Sequence, residues 1–531
     1  MTSISKIKRI RISLAAGAIG VITLAISPKA FALSAAECGQ LVNLVVPHTT
    51  ITSAAIVPAT GTVPEYCSVH GHVDTEINFE LGLPTNWNGK FYHQGGGGFV
   101  GSIPSIAPGL TAGYASVATD TGHVGVGVAA LDGSWALNRP DRQVNFGFRA
   151  VHVVTVVAKE ITRQAYDRKP SYSYFQGCSN GGRQALQEAQ RYPNDFDGII
   201  AGAPALDWTG LMIGFNWDSQ AIRAAPIPPD KLTVIAQGAV ARCDAQDGLV
   251  DGLISDPLRC DFDPAVLTCK GADAPDCLTA AQVEAVKKVY AGPSNSRGRQ
   301  LHPGFAPGAE DGGTGWQTWI SGPTPLGPPV NGNPLQFTFQ DHYLRYFVFS
   351  DPAYDSMTFD FDRDPRALRP TGSFLNATNT DLSDLRKAGV KLILWHGWAD
   401  DALMAERTVQ YFEGVVDRLN SRDKIDRFVR LYLAPGMHHC ANGPGPNTFD
   451  VLTPLVNWVE NGVAPQRIIA TKYVNDNPAM GVARTRPLCP HPQTAQYVGK
   501  GSIDDAANFV CRTPDRHDKK DKDGDAGNDD D

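Results

Sequence analysis

Charged residues are scarce in this chain, and its body contains neither a basic block nor a long apolar run. Of its 531 residues, 19% are charged, and 47 Lys and Arg against 55 Asp and Glu give a formal net charge of −8. Low charge without sustained heptads excludes a disordered chain or a coiled coil. The lack of a basic patch argues against a nucleic-acid partner. With 42% hydrophobic residues, the chain can bury a large core.

The ten cysteines form no C-x-x-C pair, so the sequence carries no zinc-ribbon spacing. All of them follow residue 32, and their number is even. In an exported protein, an even set of cysteines indicates disulfides. We therefore expect five bridges.

Residues 1–32 have the pattern of a secretory signal peptide. Four basic residues precede an apolar stretch at residues 12–26, and Ala30-Phe31-Ala32 supplies a cleavage motif. A membrane span needs about 20 apolar residues, so this stretch is short for one. We expect a secreted or periplasmic protein with no membrane attachment after cleavage; an uncleaved anchor is the alternative.

Apolar runs alternate with segments rich in Gly and Pro, which is typical of an α/β protein with buried strands. The pattern predicts strands at residues 90–93, 172–176, 196–201, 391–395 and 427–433. It predicts helices at residues 148–164, 181–191 and 451–461.

The chain divides by composition into a core in two parts and an insertion. Residues 206–375 are dense in Pro and Gly, and a loop of that length without its own structure is implausible, so we predict an inserted domain there. Residues 33–205 and 376–511 then form the two parts of the core. Residues 512–531 contain eight Asp and five basic residues and are predicted to be a disordered acidic tail.

The pentapeptide Gly177-Cys178-Ser179-Asn180-Gly181 matches G-x-S-x-G between a predicted strand and a predicted helix. A sharp turn of this kind lifts the serine hydroxyl above the sheet in α/β-hydrolases. The bare pattern also occurs by chance, but its context favours Ser179 as a nucleophile.

A serine hydroxyl needs a base and an orienting acid. Asp400 and Asp401 follow one predicted strand, and His438 and His439 follow the next. The order Ser179, Asp400, His439 is that of α/β-hydrolases. Asp401 and His438 are their neighbours, and we expect them to be solvated loop residues.

A developing oxyanion needs backbone donors, which the sequence offers at two places. The amide of Asn180 is one, and the run of four glycines at residues 95–98 can supply the other. Gly97 is favoured, with Gly96 and Gly98 as alternatives. Cys178 and Cys440 flank Ser179 and His439, so a bridge between them would clamp the two loops together.

Four stretches together resemble the tannase/feruloyl esterase family: residues 177–183 (GCSNGGR), residues 197–204 (DGIIAGAP), residues 396–400 (HGWAD) and the His439-Cys440 pair. The similarity runs from about Cys38 to Cys511. It implies a secreted serine esterase with an α/β-hydrolase core and a large inserted lid. The family's Cys-Ser-Asp-His-Cys arrangement is matched by Cys178, Ser179, Asp400, His439 and Cys440. The sequence departs from the family at Asp401, often proline there, and at His438, often glycine.

The resemblance extends to residues 243–253 and implies a structural calcium ion in the lid. Its ligands would be three carboxylates and two backbone carbonyls, from Asp244, Asp247, Asp251, Leu249 and Leu253. From the residues alone, oxygen ligands on a glycine-bent loop suit calcium, and an ordinary Asp-Gly turn remains the alternative. The resemblance also implies four further bridges: Cys38–Cys67, Cys243–Cys260, Cys269–Cys277 and Cys489–Cys511.

Substrates of the family are esters of aromatic acids, including ferulate, gallate and, in one member, a terephthalate monoester. Five lid aromatics are candidates either for stacking on a planar acyl group or for the lid core: Trp208, Trp217, Trp316, Trp319 and Phe337. No Lys or Arg lies between Arg299 and Arg345, so we rank neutral feruloyl or galloyl esters above a terephthalate monoester. A secreted serine peptidase and an inactive binding protein of this fold are the alternatives from other classes. Oligomeric state cannot be read from the sequence.

Overall fold

The computed structural model describes residues 33–308, 310–312, 314–322 and 332–514. The predicted signal peptide at residues 1–32, and residues 515–531 of the predicted tail, lie outside the described residues. Among the helices that are described, none combines the length and the apolar character needed to cross a membrane.

A nine-stranded sheet forms the centre of the described structure. Its strands are β1 (Thr49–Val57), β2 (Tyr66–Val73), β3 (Ile77–Pro84), β4 (Lys90–Gln94), β5 (Ala115–Thr119), β6 (Tyr172–Ser179), β7 (Gly198–Pro204), β8 (Lys391–Gly397) and β9 (Val429–Ala434). They lie in the order β1-β2-β3-β5-β4-β6-β7-β8-β9. The first three strands and the β3–β5 pair are antiparallel, and the sheet is parallel from β5 to β9. This mixed sheet with surrounding helices confirms the predicted α/β class.

The α-helices of the described residues connect and cover these strands. They are α1 (Ala35–Gln40), α2 (Ala107–Thr111), α3 (Pro140–Val144), α4 (Ala150–Tyr166), α5 (Asn180–Arg191), α6 (Trp208–Ala224), α7 (Pro229–Cys243), α8 (Ala280–Ala291), α9 (Leu335–His342), α10 (Arg369–Leu375), α11 (Ser383–Ala388), α12 (Ala405–Leu419), α13 (Arg422–Ile425) and α14 (Leu452–Asn461). Helix α4 shows why they form: Val151, Val154 and Ile161 repeat on one buried face, and the helix ends where Asp167 turns left-handed with φ 49°.

Residues 206–375, which we call the inserted segment, join β7 to the approach of β8. In its described part the segment contributes helices α6 to α10 and no strand of the large sheet. Its aromatic residues share one hydrophobic cluster with the core, because Phe99 packs on Trp208 at 5.7 Å and on Phe339 at 5.3 Å between ring centroids. The segment therefore packs directly against the loop that follows β4.

Two small antiparallel sheets close the described chain: β10 (Ile468–Tyr473) with β11 (Val482–Leu488), and β12 (Thr494–Tyr497) with β13 (Phe509–Arg512). Arg512 pairs with Thr494 in the last ladder. It is the last residue of β13, so the tail predicted from residue 512 begins too early; backbone pairing holds this polar residue in a strand.

All five predicted disulfides are present: Cys38–Cys67, Cys178–Cys440, Cys243–Cys260, Cys269–Cys277 and Cys489–Cys511. Together they use all ten cysteines of the chain. Four of them close local loops, whereas Cys178–Cys440 joins positions 262 residues apart. That bridge links the turn after β6 to the loop after β9.

Candidate active site

Ser179 stands at the sharp turn between β6 and α5. Its backbone has φ 65° and ψ −127°, a combination that costs a non-glycine residue conformational energy. The turn closes tightly because Gly177 lies against Gly181: a side-chain carbon at Gly177 would come within 2.5 Å of the Gly181 backbone. The half-buried serine side chain is thus held at the carboxyl edge of the parallel strands, where ligands bind in such sheets.

Asp400 and His439 form a buried hydrogen-bonded pair in the loops after β8 and β9. His439 Nδ1 lies 2.9 Å from Asp400 Oδ2. The other oxygen, Oδ1, accepts the backbone N–H groups of Ala402 at 2.9 Å and Leu403 at 2.7 Å. Burial acts to raise the pKa of Asp400, but the charge of His439 and the hydrogen bonds from His396 and His439 hold that pKa well below its ordinary value. Asp400 therefore stays ionised and can stabilise a protonated His439.

The expectation that Asp401 and His438 are solvated is wrong. They are only 1% and 3% exposed. Asp401 Oδ1 accepts the backbone N–H of His439 at 3.2 Å, and His438 Nδ1 lies 2.9 Å from the hydroxyl of Thr314. Burial and the neighbouring charge of Asp400 raise the pKa of Asp401 well above its ordinary value. Both residues are buried because the two loops fold against each other and against the inserted segment.

Ser179 and His439 are brought together by the Cys178–Cys440 bridge, whose Cα atoms are 6.1 Å apart. Among the described residues, no hydrogen bond yet joins Ser179 Oγ to His439; Nε2 lies 3.7 Å from Cys440 Sγ instead. In enzymes without ligand such contacts are often long and tighten when the substrate binds.

The glycine run after β4 faces the same site. Asn180 starts α5 and is 1% exposed, and its Nδ2 donates to the carbonyl of Gly96 at 3.1 Å. The Gly96 amide is used, since it donates to Gln184 at 2.9 Å. Within the described residues, the amides of Gly97 and Gly98 have no protein acceptor, and Gly98 lines the cavity beside Ser179. Gly97 and Gly98 therefore remain the two candidates for the second oxyanion donor.

Arg183 is a residue of the site region for which the sequence analysis assigned no role. It is fully buried, and its Nε donates to Asn180 Oδ1 at 2.7 Å. Its other nitrogens donate to the carbonyls of Phe146, Gly147 and Leu375 at 2.8–3.1 Å. This guanidinium joins the serine turn to the end of the inserted segment. The sequence signal that could have indicated Arg183 is its position at the end of the GCSNGGR motif, residues 177–183.

A cavity opens beside Ser179 under the inserted segment. The described residues that line it are uncharged: Gly98, Ser179, Asn180, Ala205, Trp208, Leu211, Met212, Phe215, Trp319, Phe339 and Leu403. Trp319 also meets the His439 ring edge-on, with centroids 5.3 Å apart. Of the five aromatics named from the sequence, Trp208 and Trp319 line this cavity.

The other three aromatics lie outside that lining. Trp316 packs on Tyr290 with centroids 5.6 Å apart, and Trp217 packs on Phe361 at 4.9 Å. Phe339 rather than Phe337 reaches the cavity. Residues that are two positions apart in a helix lie about 200° apart around its axis, so Phe337 and Phe339 occupy opposite faces of α9.

The aspartate loop implied to hold calcium offers suitable ligand chemistry. Asp244, Asp247 and Asp251 provide carboxylates, and Leu249 and Leu253 provide carbonyls, all hard oxygen donors. Burial and the negative charges of Asp251 and Asp244 raise the pKa of Asp247. The three carboxylates thus repel one another, which a divalent cation would relieve.

The carboxylates of this loop also keep protein partners. The Asp244 carboxylate accepts hydrogen bonds from the backbone N–H groups of Asp251 at 3.1 Å and Gly252 at 2.9 Å. The Asp251 carboxylate pairs with Arg486. Among the described residues, one acidic and histidine cluster has ligand atoms all within 4.8 Å of one another, formed by His152, Glu188 and Asp195. That cluster lies between α4 and α5, next to the buried ammonium of Lys159. The aspartate loop is less tightly gathered, so its donors would have to draw together around an ion.

The sheet order, the strained serine turn and the paired histidine and aspartate match the arrangement of an α/β-hydrolase, with Ser179 as the candidate nucleophile. A sequence model described as tannase and feruloyl esterase matches residues 59–512. The chain belongs to this family.

Relatives and a solved structure agree with that assignment. Mono(2-hydroxyethyl) terephthalate hydrolase of Piscinibacter sakaiensis is 35% identical over 86% of this chain and 87% of its own. A probable feruloyl esterase of Arthroderma benhamiae is 34% identical, covering 82% of each chain. The crystal structure of feruloyl esterase B from Aspergillus oryzae is similar with a TM-score of 0.79 and 28% identity, covering 90% of this chain and 100% of that one.

Proposed function

We propose that the protein is a serine carboxylic-ester hydrolase that cleaves esters of phenolic acids, such as feruloyl or galloyl esters. The observation that carries this proposal is the uncharged, aromatic-lined cavity that opens directly beside Ser179. The cavity as folded has a volume of about 20 Å³, so its lining must move apart before a planar aromatic acyl group can stack on Trp208 or Trp319. Family membership supports the ester chemistry.

In the acylation step, Ser179 Oγ attacks the ester carbonyl while His439 Nε2 takes the hydroxyl proton. Asp400 holds the imidazole through Nδ1 and stabilises its positive charge. The oxyanion accepts hydrogen bonds from the amide of Asn180 and from Gly97 or Gly98. The C–O bond to the alcohol then breaks, and His439 returns the proton to the leaving alkoxide.

In the second step, water attacks the acyl-serine ester with His439 as base. The tetrahedral intermediate collapses, Ser179 regains its proton, and the aromatic acid is released. The Cys178–Cys440 bridge preorganises both loops, since catalysis depends on placing these groups within fractions of an ångström.

The test is acid release from methyl ferulate and methyl gallate by residues 33–531, with Ser179→Ala and the exposed Ser373→Ala as matched variants. We expect turnover of at least one ester by the wild type and by Ser373→Ala, and none by Ser179→Ala. No acid release from either ester by the wild type would overturn the assignment to phenolic esters.

The same assay includes mono(2-hydroxyethyl) terephthalate, because one relative is named for its hydrolysis. The free carboxylate of that ester finds no cation among the described residues that line the cavity. We therefore expect a lower kcat/KM for it than for the better neutral ester. The reverse order would make terephthalate monoesters the substrate class.

We also propose that the aspartate loop binds a structural calcium ion through Asp244, Asp247, Asp251 and the carbonyls of Leu249 and Leu253. The repulsion among the three carboxylates supports this. The ion would neutralise the loop and take no part in ester cleavage. Calorimetric titration of calcium into chelator-treated protein should give one site, lost in Asp247→Asn and kept in the exposed control Asp273→Asn. No binding to the wild type would overturn the proposal.

Export through cleavage after Ala32 is proposed as well. The basic start, the apolar stretch and the A-x-A motif support it, as do five disulfides, which persist in oxidising compartments. N-terminal sequencing of protein recovered outside the cytoplasm should begin at Leu33. A first residue upstream of the apolar stretch would instead indicate an uncleaved anchor.

A further inference from the structure

Asp400 is approached by a second histidine besides His439. His396, the penultimate residue of β8, is 1% exposed. Its Nε2 lies 3.1 Å from Asp400 Oδ2, the oxygen that also contacts His439. The N–H is bent away from the line to Oδ2, and no other acceptor among the described residues reaches it. Asp400 is therefore the polar partner of this nitrogen.

The other nitrogen of His396 is held by α12. Its Nδ1 lies 2.8 Å from the hydroxyl of Thr408, which is also buried. An ionised carboxylate only accepts hydrogen bonds, so the proton of a neutral His396 belongs on Nε2. Nδ1 then accepts from the Thr408 hydroxyl, and this contact selects the tautomer that faces Asp400.

With His396 included, both oxygens of Asp400 are surrounded by donors. Oδ1 takes the two amides of the loop, and Oδ2 lies 2.9 Å from His439 Nδ1 and 3.1 Å from His396 Nε2. A carboxylate held from four directions has one orientation, and that orientation fixes the ring of His439.

We propose that His396, with its tautomer set by Thr408, is a positioning residue that acts through Asp400 on the general base His439. The inference rests on the proposed serine mechanism and adds a residue to it. His396 shares the negative charge of Asp400 with His439. Removing its N–H concentrates that charge on His439 and favours the protonated imidazole.

The consequence is a shift of pH dependence. The titratable groups facing Asp400 are His439, His396 and Asp401. Burial and the Asp400 charge raise the pKa of Asp401, and its Oδ1 accepts the backbone N–H of His439 rather than facing the ring nitrogens. Without His396, the charge of Asp400 acts more strongly on His439, and we expect the acid limb of the rate profile to move to higher pH.

The experiment measures the rate at which a fluorophosphonate labels Ser179 between acidic and alkaline pH. His396→Ala should slow labelling by about 10–100-fold, the usual cost of losing an outer partner, and move its acid limb upward. His396→Gln, which keeps a donor near Nε2, should restore most of the rate and the limb. Thr408→Val should lie between these variants.

A matched control is His93, which is equally buried and lies 2.8 Å from a threonine hydroxyl, that of Thr155. His93→Gln should lower the melting temperature while leaving the acid limb in place. An unmoved limb in His396→Ala and Thr408→Val, with labelling within about twofold of wild type, would overturn the inference. Lack of labelling of the wild type would instead contradict the serine mechanism itself.

Discussion

Two loops of this molecule gather carboxylates, and they balance the charge differently. In the loop after β8, Asp400 accepts hydrogen bonds from two amides and His439 and has His396 Nε2 at 3.1 Å, so it stays ionised although it is buried. In the aspartate loop of the inserted segment, burial and the neighbouring Asp251 and Asp244 raise the pKa of Asp247. The first loop is complete as folded. In the second, Asp251 is paired with Arg484 and Arg486, whereas Asp244 and Asp247 have no basic partner among the described residues.

The difference suits the loop after β8 to the reaction and the aspartate loop to stabilising the fold. A preorganised carboxylate beside a histidine serves proton transfer, because nothing has to move when charge develops. A loop with mutually repelling carboxylates gains most from a cation and lies apart from the lining of the Ser179 cavity.

The largest effect is expected from neutralising the two adjacent aspartates separately. Asp400→Asn should lower kcat by about 10⁴-fold, because the amide favours the wrong tautomer of the histidine. Asp401→Asn, in which an amide oxygen can still accept the His439 amide, should stay within about tenfold of wild type. Steady-state kinetics on the better phenolic ester measures both, and equal losses would remove the distinction between these neighbours.

Opening the bridge between the two loops is expected to have the next effect. The double variant Cys178→Ala/Cys440→Ala should lose about 2–5 kcal/mol of unfolding free energy and part of its kcat. Chemical denaturation gives the first quantity. The matched pair Cys269→Ala/Cys277→Ala, which opens a loop spanning eight residues, should leave kcat unchanged. A kcat loss of the same size in both pairs would contradict the clamp.

Removing calcium should affect stability more than turnover. Chelation is expected to lower the melting temperature by a few degrees with kcat nearly unchanged, because the ion stabilises only the folded loop. Asp247→Asn should show the lower melting temperature with or without chelator. Loss of turnover at constant melting temperature would place the ion in the reaction and contradict a purely structural role.

The smallest effect concerns Asp401 and pH. Its pKa is raised in the folded state, so between its ordinary pKa and the raised value the folded chain holds a proton that the unfolded chain has lost. Its contribution to stability therefore falls as pH rises through that window. Asp401→Asn removes this slope, so its melting temperature relative to wild type should improve as pH rises above the ordinary pKa of an aspartate. An unchanged difference would mean that Asp401 titrates normally.

Sequence patterns predicted the parallel half of the sheet well. Strands β7 to β9 contain short apolar runs, because strands covered on both faces need no polar alternation. Strands β4 and β6 contain aromatic residues and lead into glycine-containing turns. The β7 prediction started two residues early, at Phe196, which is buried just ahead of the strand. Strands β1 to β3 and β5 were not predicted, since they mix small and polar residues, as in ASVAT at residues 115–119.

In the site, sequence spacing predicted the serine turn and the two loops, while the finer contacts depended on folding. Buried His438, for example, lies 2.9 Å from the hydroxyl of Thr314, which is more than a hundred residues away in the chain. The role of His396 depends on how the turn after β8 brings it back to Asp400, and the helix face of Phe339 depends on where α9 begins. A sequence motif shows which residues are adjacent in the chain, and contacts of this kind form only when distant segments fold together.

Fluorophosphonate labelling of the folded protein, followed by peptide mass spectrometry, is the most direct test of the serine mechanism. We expect one adduct, on Ser179, formed slowly or not at all in His439→Ala and Asp400→Asn. No adduct on the wild-type protein, or an adduct on another serine with Ser179 unmodified, would contradict it.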